Sequence, residues 1–444
     1  MDRNRQTAYM TLLDIESKKQ YSNISLNSHI NKMKPDNQGF VRELVYGVLE
    51  NKILLDYIIK KYIKGRLKDV RRSDLIILRM GIYQILRMDS VPAHAAVDES
   101  IKLARKYSKG RHGFINAVLR SYIRDENGVA LPDRFDDLTQ YLSVKYSINK
   151  WIVDLWIDQY GEDFAEELIV ASNERPPLTI RTNLKKIDRD SLCDKLNAGG
   201  YLAAKVEGTK TAINVKGSDL IETDLYKEGY FSIQDEASQK LVDLLTKYIV
   251  VDDKSLDSKV IDNKTLDNIT FIDLCSAPGG KSFGIYERFD FIKRMISCDF
   301  YSKKIELMKN EASRLGHKSI EFVVSDATCF NKEFERIADC VIVDVPCSGL
   351  GVARRRPEIK YKKYEEIKDL PKKQLEILKN SSKYVKDNGI ILYSTCTLNN
   401  VENCGVLDAF LEQNLEFVKL EEVELFPNID RTDGFYICII KKRN

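Results

Sequence analysis

The residues best suited to covalent chemistry in this 444-residue chain fall where apolar runs end. ADCVIVDVPCSGLG delivers Asp344 and Cys347, and GIILYSTCT delivers Cys396. A thiolate is a strong nucleophile, and a carboxylate beside it can move a proton. That set suits methylation of cytosine at C5, a carbon too weakly nucleophilic to take a methyl group unaided. A thiolate must first add to C6 while N3 gains a proton, which creates an enamine able to attack the methyl donor. The C5 proton then leaves and the thiolate is expelled. One cysteine would be the nucleophile, the other would assist release, and Asp344 would serve N3. Residue type alone leaves open which thiol does which.

The methyl donor has its own signals upstream. FIDLCSAPGGKS turns through Gly279 and Gly280, which let the backbone approach a ligand closely before a helix begins. A glycine pair by itself would mark only a turn. The next run ends at Asp299, the acceptor that a ribose diol needs, and the third ends at Ser325 and Asp326, placed to accept from an adenine amine. Together they indicate a nucleoside cofactor, and APGGK in place of GxGxxG favours S-adenosylmethionine over a dinucleotide.

These ends require a scaffold. From Thr270 the chain alternates short apolar runs (FIDLC, RMISCDF, IEFVVSDA, ADCVIVDVP, GIILYSTC, FYICIIK) with helix-length segments, the pattern of a doubly wound parallel sheet, whose ligands bind at the carboxyl ends of the strands. Residues 236–444 are therefore expected to form an α/β Rossmann-like domain. Residues 1–130 carry apolar residues at three- and four-residue spacing and predict an all-α domain. Residues 140–235, with the strand-like PLTIRTNL, a helix through Cys193 and Leu196, and GYFSIQDEAS, predict a small α+β module. Residues 251–268 read as a polar, exposed insertion. Trp151 and Trp156 are expected in the core, and His94 and His112 are expected to be structural.

DLCSAPGGKS, DVPCSGLGVARRRPEIKY and YSTCTLNNVEN resemble, in order, the motifs of the RsmB/NOP2/NSUN superfamily of RNA cytosine-5 methyltransferases. FVRELVYGVL, PAHAAVDESIKLA and HGFINAVLR resemble a NusB-type domain. The resemblance implies a class I S-adenosylmethionine-dependent fold and 16S ribosomal RNA as substrate. It implies that Cys275, Ser276, Ala277, Pro278, Gly279, Gly280, Lys281, Asp299, Asp326 and Asp344 bind the cofactor or surround it. It also resolves the thiols, making Cys396 the nucleophile and Cys347 the residue that assists elimination. RTNL from Arg181 and SIQDEAS from Ser232 resemble segments flanking the family's active site. Val345 departs from the more usual Ala before Pro346, and the 251–268 insertion exceeds the usual link.

Lys plus Arg is 70 against 67 for Asp plus Glu, a net +3 that neither requires nor excludes nucleic acid. Local clusters speak instead. Lys60, Lys61, Lys64, Arg66, Lys68, Arg71 and Arg72 lie close together, RKYSKGRHGFINAVLRSYIR is also basic, and both suit an RNA backbone better than an isolated solvated face would. Arg354, Arg355 and Arg356 either form a charged surface loop or contact phosphate beside the target base. All nine cysteines lie from Cys193 onward without a CxxC pair, so neither disulfides nor a metal site are expected. No run is long enough to span a membrane and MDRNRQTAYM lacks a signal core, so a cytoplasmic monomer is expected. Two other functions compete: a tRNA cytosine-5 methyltransferase, which the NusB-like region disfavours, and a non-catalytic antitermination or ribosome-assembly factor, which would have no reason to keep both thiols.

Overall fold

Apolar spacing winds the N-terminal region into seven helices in a computed structural model that describes residues 2–18, 20–249, 269–290 and 292–443. The helices are Arg3–Lys18, Ser22–Met33, Gln38–Glu50, Lys52–Tyr62, Arg72–Arg87, Ala93–Tyr107 and His112–Arg124. They close on Leu44, Leu55, Ile77, Met80 and Leu119, all removed from water. Asn37 caps one helix by accepting from the Phe40 N–H, which satisfies a donor that a helix start leaves unpaired. The polar insertion expected at 251–268 lies outside the described residues. Among the described residues, no helix is long and apolar enough to cross a membrane.

The chain divides into two compact units, residues 1–173 with 353–364, and residues 174–352 with 365–444. In the first, the seven helices are joined by Leu138–Tyr146, Lys150–Tyr160 and Glu162–Ala171, where Trp156 is buried as expected. The excursion 353–364 is sewn into this unit by side chains. Glu358 accepts from the Ser22 hydroxyl at 3.0 Å, and the Trp151 ring N–H donates to the Lys362 carbonyl at 2.7 Å. Lys360, only 2% exposed, donates from Nζ to the Glu50 carbonyl at 2.8 Å, the Tyr146 carbonyl at 3.2 Å and Asn173 Oδ1 at 2.7 Å. Burial pulls its ammonium down to about 7.

The second unit holds two sheets. The smaller is antiparallel, with β1 (Leu178–Thr182), β2 (Leu202–Lys205), β3 (Ala212–Lys216) and β4 (Phe231–Ile233) in the order β2-β3-β1-β4. The larger comprises β5 (Ile269–Asp273), β6 (Ile292–Asp299), β7 (Ile320–Val324), β8 (Ala338–Asp344), β9 (Val385–Thr395), β10 (Phe417–Leu425) and β11 (Phe435–Lys442), ordered β10-β11-β9-β8-β5-β6-β7. The run from β7 to β9 is parallel, as the alternation predicts. Successive residues of β5 face opposite ways, Phe271 into one core and Ile272 into the other, so both faces are covered. The last two strands depart from that pattern: β11 runs antiparallel to β9, and β10 pairs antiparallel with β11 at the edge. FVKLEEVEL does not read as a strand because it carries four charges and its alternation is broken at Glu421-Glu422, next to a bulge in the pairing; the charges suit an edge facing solvent.

Candidate active site

Adjacent parallel strands present their following loops at one edge, and the register here brings the two thiols level. Asp344 of β8 pairs with Ser394 of β9; Cys347 follows by three residues and Cys396 by two. Their sulfurs lie 3.2 Å apart. That contact and burial hold the Cys347 thiol well above the usual cysteine range, with Glu402 and Asp344 adding repulsion, so Cys347 stays protonated. Gly351 donates its N–H to the Cys396 carbonyl at 3.1 Å and lies so near Gly434 that a Cβ there would meet the Gly434 carbonyl oxygen at 2.0 Å.

Asp344 is engaged on both oxygens. Lys281 Nζ reaches Oδ2 at 2.5 Å, and the Ser394 hydroxyl donates to Oδ1 at 2.8 Å. Burial would lower the Lys281 ammonium, but the charge and the hydrogen bond of Asp344, together with Cys396 and Asp273, hold it above its ordinary value. Lys281 also sits 5.1 Å over the Phe435 ring.

The loop between β5 and the helix Gly280–Arg288 brings together the other expected residues. Ser276 donates from its N–H and its hydroxyl to the Cys298 carbonyl, each at 2.8 Å, which pins the loop to β6. Gly279 has φ of +105°, and a Cβ there would lie 2.3 Å from the Phe283 ring, so only glycine makes this turn. Burial holds the Cys275 thiol above the ordinary range, which leaves it a small apolar wall. Asp299 ends β6, 6% exposed, accepting from the Tyr301 N–H at 3.0 Å with Lys304 Nζ at 3.5 Å. Asp326, just beyond β7, accepts from the hydroxyl and the N–H of Thr328, bonds that hold its carboxyl below the ordinary range.

Three contributors were not singled out from sequence. Asp273 is fully buried; Ser282 donates to its Oδ2 at 2.7 Å, while among the described residues Oδ1 has no partner within hydrogen-bond distance. Burial, reinforced by the Asp344 charge, pushes this carboxyl up to about 7. Arg181, within the RTNL segment, donates to both Glu287 oxygens at 2.8 and 3.0 Å and to the Gly280 carbonyl at 2.7 Å, so the small sheet grips the turn. Glu402 lies in YSTCTLNNVEN, buried between the thiol-bearing loops. Acids within the quoted motifs were the available signal for Asp273 and Glu402; nothing local marked Arg181 as buried.

The chemistry of the strand-end residues fits S-adenosylmethionine. An unpartnered buried carboxylate oxygen suits a cationic ligand, the Gly279 turn lets the backbone approach closely, and acids end successive strands.

Comparison with known proteins matches three stretches of the chain. The 16S rRNA methyltransferase RsmB/F family matches residues 261–441, the NusB family residues 2–124, and the RsmF/B-like ferredoxin-like domain residues 148–220. The probable ribosomal RNA small subunit methyltransferase B of Bacillus subtilis is 34% identical over 99% of this chain and 98% of that protein. The chain belongs to the RsmB/F family of S-adenosylmethionine-dependent rRNA methyltransferases. Ribosomal RNA small subunit methyltransferase B of Vibrio vulnificus is 27% identical over 93% of this chain and 92% of its own. In fold, the crystal structure of PH0851 superposes with a TM-score of 0.82 at 19% identity, covering 100% of this chain and 99% of that one. NSun6 from Pyrococcus horikoshii with SFG gives 0.56 at 18% identity, covering 67% of this chain and 98% of its own. The RsmB/F fold thus spans the helical, small and α/β regions.

Proposed function

We propose that this RsmB/F-family enzyme forms 5-methylcytosine in 16S rRNA, with Cys396 as nucleophile, Cys347 as the residue that assists release, and the target base turned out of its stack. The observation that carries this reading is the pair of sulfurs 3.2 Å apart, with Asp344 on the neighbouring strand end. Residues Cys275 to Lys281, Asp299 and Asp326 would hold S-adenosylmethionine, which supplies an electrophilic methyl group.

Cys396 adds as a thiolate to C6, the C5–C6 π electrons shift toward N3, and N3 takes a proton that the Asp344 carboxylate relays from the Lys281 ammonium, 2.5 Å away. Asp344 stays ionised and Lys281 is left neutral. After C5 has gained its methyl group, the C5–H electrons form the C5–C6 double bond and the C6–S pair returns to Cys396. Cys347 passes its proton to the departing sulfur and takes the C5 proton in its place, while N3 returns its proton through Asp344 to Lys281. The raised affinity of Cys347 for its proton suits that exchange.

Bisulfite mapping of small-subunit rRNA from cells with and without the protein tests the reading. One cytosine should lose protection in its absence. Unchanged 16S protection with loss of protection in a tRNA would replace it with tRNA methylation.

A further inference from the structure

Both thiol-bearing loops converge on one side chain. Glu402 is fully buried, and its carboxylate accepts from the Ser348 N–H at 2.8 Å on Oε2 and from Asn399 Nδ2 at 2.9 Å on Oε1. Ser348 follows Cys347 directly, and Asn399 lies three residues beyond Cys396. A third donor, Gln374 Nε2, reaches Oε2 at 3.0 Å and also the Pro346 carbonyl at 3.0 Å, so the residue before Cys347 is held through the same point. The Tyr393 hydroxyl donates to the Glu402 carbonyl at 2.7 Å, fixing the carboxylate's own backbone to β9. Ser348 and Thr397 then join the two loops directly through hydroxyls 2.6 Å apart.

Among the described residues, the three groups bonded to this carboxylate are all N–H donors, one from the backbone and two from side-chain amides, and only an acceptor without hydrogens satisfies all three. An amide would turn an NH₂ toward one of them, leaving two buried donors opposed. A sub-ångström slip of either loop changes the sulfur separation directly, because each sulfur lies within three residues of an anchored atom.

We propose that Glu402 is the positioning residue of the thiol pair: one carboxylate grips the loop after β8 and the loop after β9, setting Cys347 against Cys396. This rests on the covalent reading above, and Glu402 itself touches neither base nor cofactor in it. Loosening the grip impairs the proton exchange between the sulfurs more than it impairs addition to C6, so release becomes the slow step.

The test is Glu402→Gln in the full-length protein, with substrate RNA and S-adenosylmethionine. The expected result has three parts: kcat falls at least tenfold, the Kd for S-adenosylmethionine by calorimetry stays within twofold, and a covalent RNA–protein band accumulates on a denaturing gel. Turnover within twofold of wild type overturns the proposal. So does a loss of cofactor affinity in step with turnover, which would mean general damage, or a lower kcat without the trapped band. Should Glu402→Gln precipitate, Glu402→Asp, which keeps the charge and withdraws it by one methylene, must give the same three readings. Cys347→Ala is the control. If it traps no RNA, the covalent reading fails on its own, and the kcat and Kd readings still decide whether Glu402 positions the loops.

Discussion

Arg79 in the helical unit and Asp273 at the head of the cofactor loop are both sealed from water, at 5% and 0% exposure, yet they are treated in opposite ways. Arg79 has its donors matched: Nε and one terminal nitrogen reach Asp56 at 2.7 and 2.8 Å, and the other reaches Glu16 at 2.6 Å. Burial would push the Glu16 carboxyl up, but the Arg79 and Lys52 charges overcome it and hold it below the ordinary range. Asp273 accepts from the Ser282 hydroxyl, keeps an oxygen with no partner within hydrogen-bond distance among the described residues, and is driven by burial toward neutrality. A buried charge that is closed on all sides is architecture, whereas one left open carries a cost that only a ligand or a proton relieves. The strand-end region is therefore less well satisfied than the helical region because it is built to be completed.

The sharpest division between the regions comes from removing one atom group in each. Cys396→Ala should abolish methylation and any covalent RNA adduct while leaving the thermal midpoint within a few degrees of wild type. Cys347→Ala should trap the adduct, and the double variant should lose it. An adduct in Cys396→Ala that needs Cys347 would exchange the two roles. Arg79→Ala should do the converse, costing about 3–5 kcal/mol in urea unfolding because the half-buried Asp56 and Glu16 carboxylates lose the buried guanidinium they share, with cofactor affinity per folded molecule unchanged. If Arg79→Ala proved harmless, the helical network would not be the closed system described.

A pH series probes the open side. The folded-state value of Asp273 lies above the ordinary aspartate value of 3.8, so its favourable contribution is complete in acid and is lost as pH rises through about 7. Cofactor-free protein should lose stability between pH 5 and 8 by on the order of 2–3 kcal/mol through this group. Asp273→Asn should flatten that part of the profile, and an identical profile would show that the carboxyl ionises without cost. Asp299→Ala should weaken S-adenosylmethionine by about 1–3 kcal/mol, the range for a lost hydrogen bond to a charged group; wild-type affinity by calorimetry would remove Asp299 from the ribose.

The smallest effect concerns the exposed basic cluster. Neutralising Lys64, Lys68 and Arg71 should reduce the slope of log affinity against log salt for rRNA by roughly 0.7–0.9 per lost phosphate contact. An unchanged slope would assign the cluster to solvent. Arg66 is already paired with Asp69 at 2.9 Å and Lys61 with Asp125 at 2.7 Å, so these two contribute less than their charges suggest.

Legibility followed the same contrast. The parallel strands were readable because central strands are apolar on both faces, and the thiols, Asp299, Asp326 and the glycine turn were readable because strand ends in such a sheet collect ligands. β2 and β3 were not: LAAK is largely exposed and too short to show a period, and AINVK owes its place to pairing with β1. Glu402 reads as one more acid near a helix start, since two of its three donors, Ser348 and Gln374, come from distant residues. EIKYKKY reads as a solvated basic stretch, and only tertiary packing makes Lys360 a buried residue held by carbonyls.

That buried lysine imposes an order on synthesis. Asn173, the last residue of the first continuous stretch of the helical unit, is already one of the acceptors for Lys360, but the lysine is encoded 187 positions later (360 − 173). At translation rates of about 5–20 residues per second, the helical unit waits roughly 10–40 s for its missing piece. During that interval the carbonyls of Glu50 and Tyr146 lack the Lys360 ammonium, and the half-made unit presents to the cell a slot that its own chain has yet to supply.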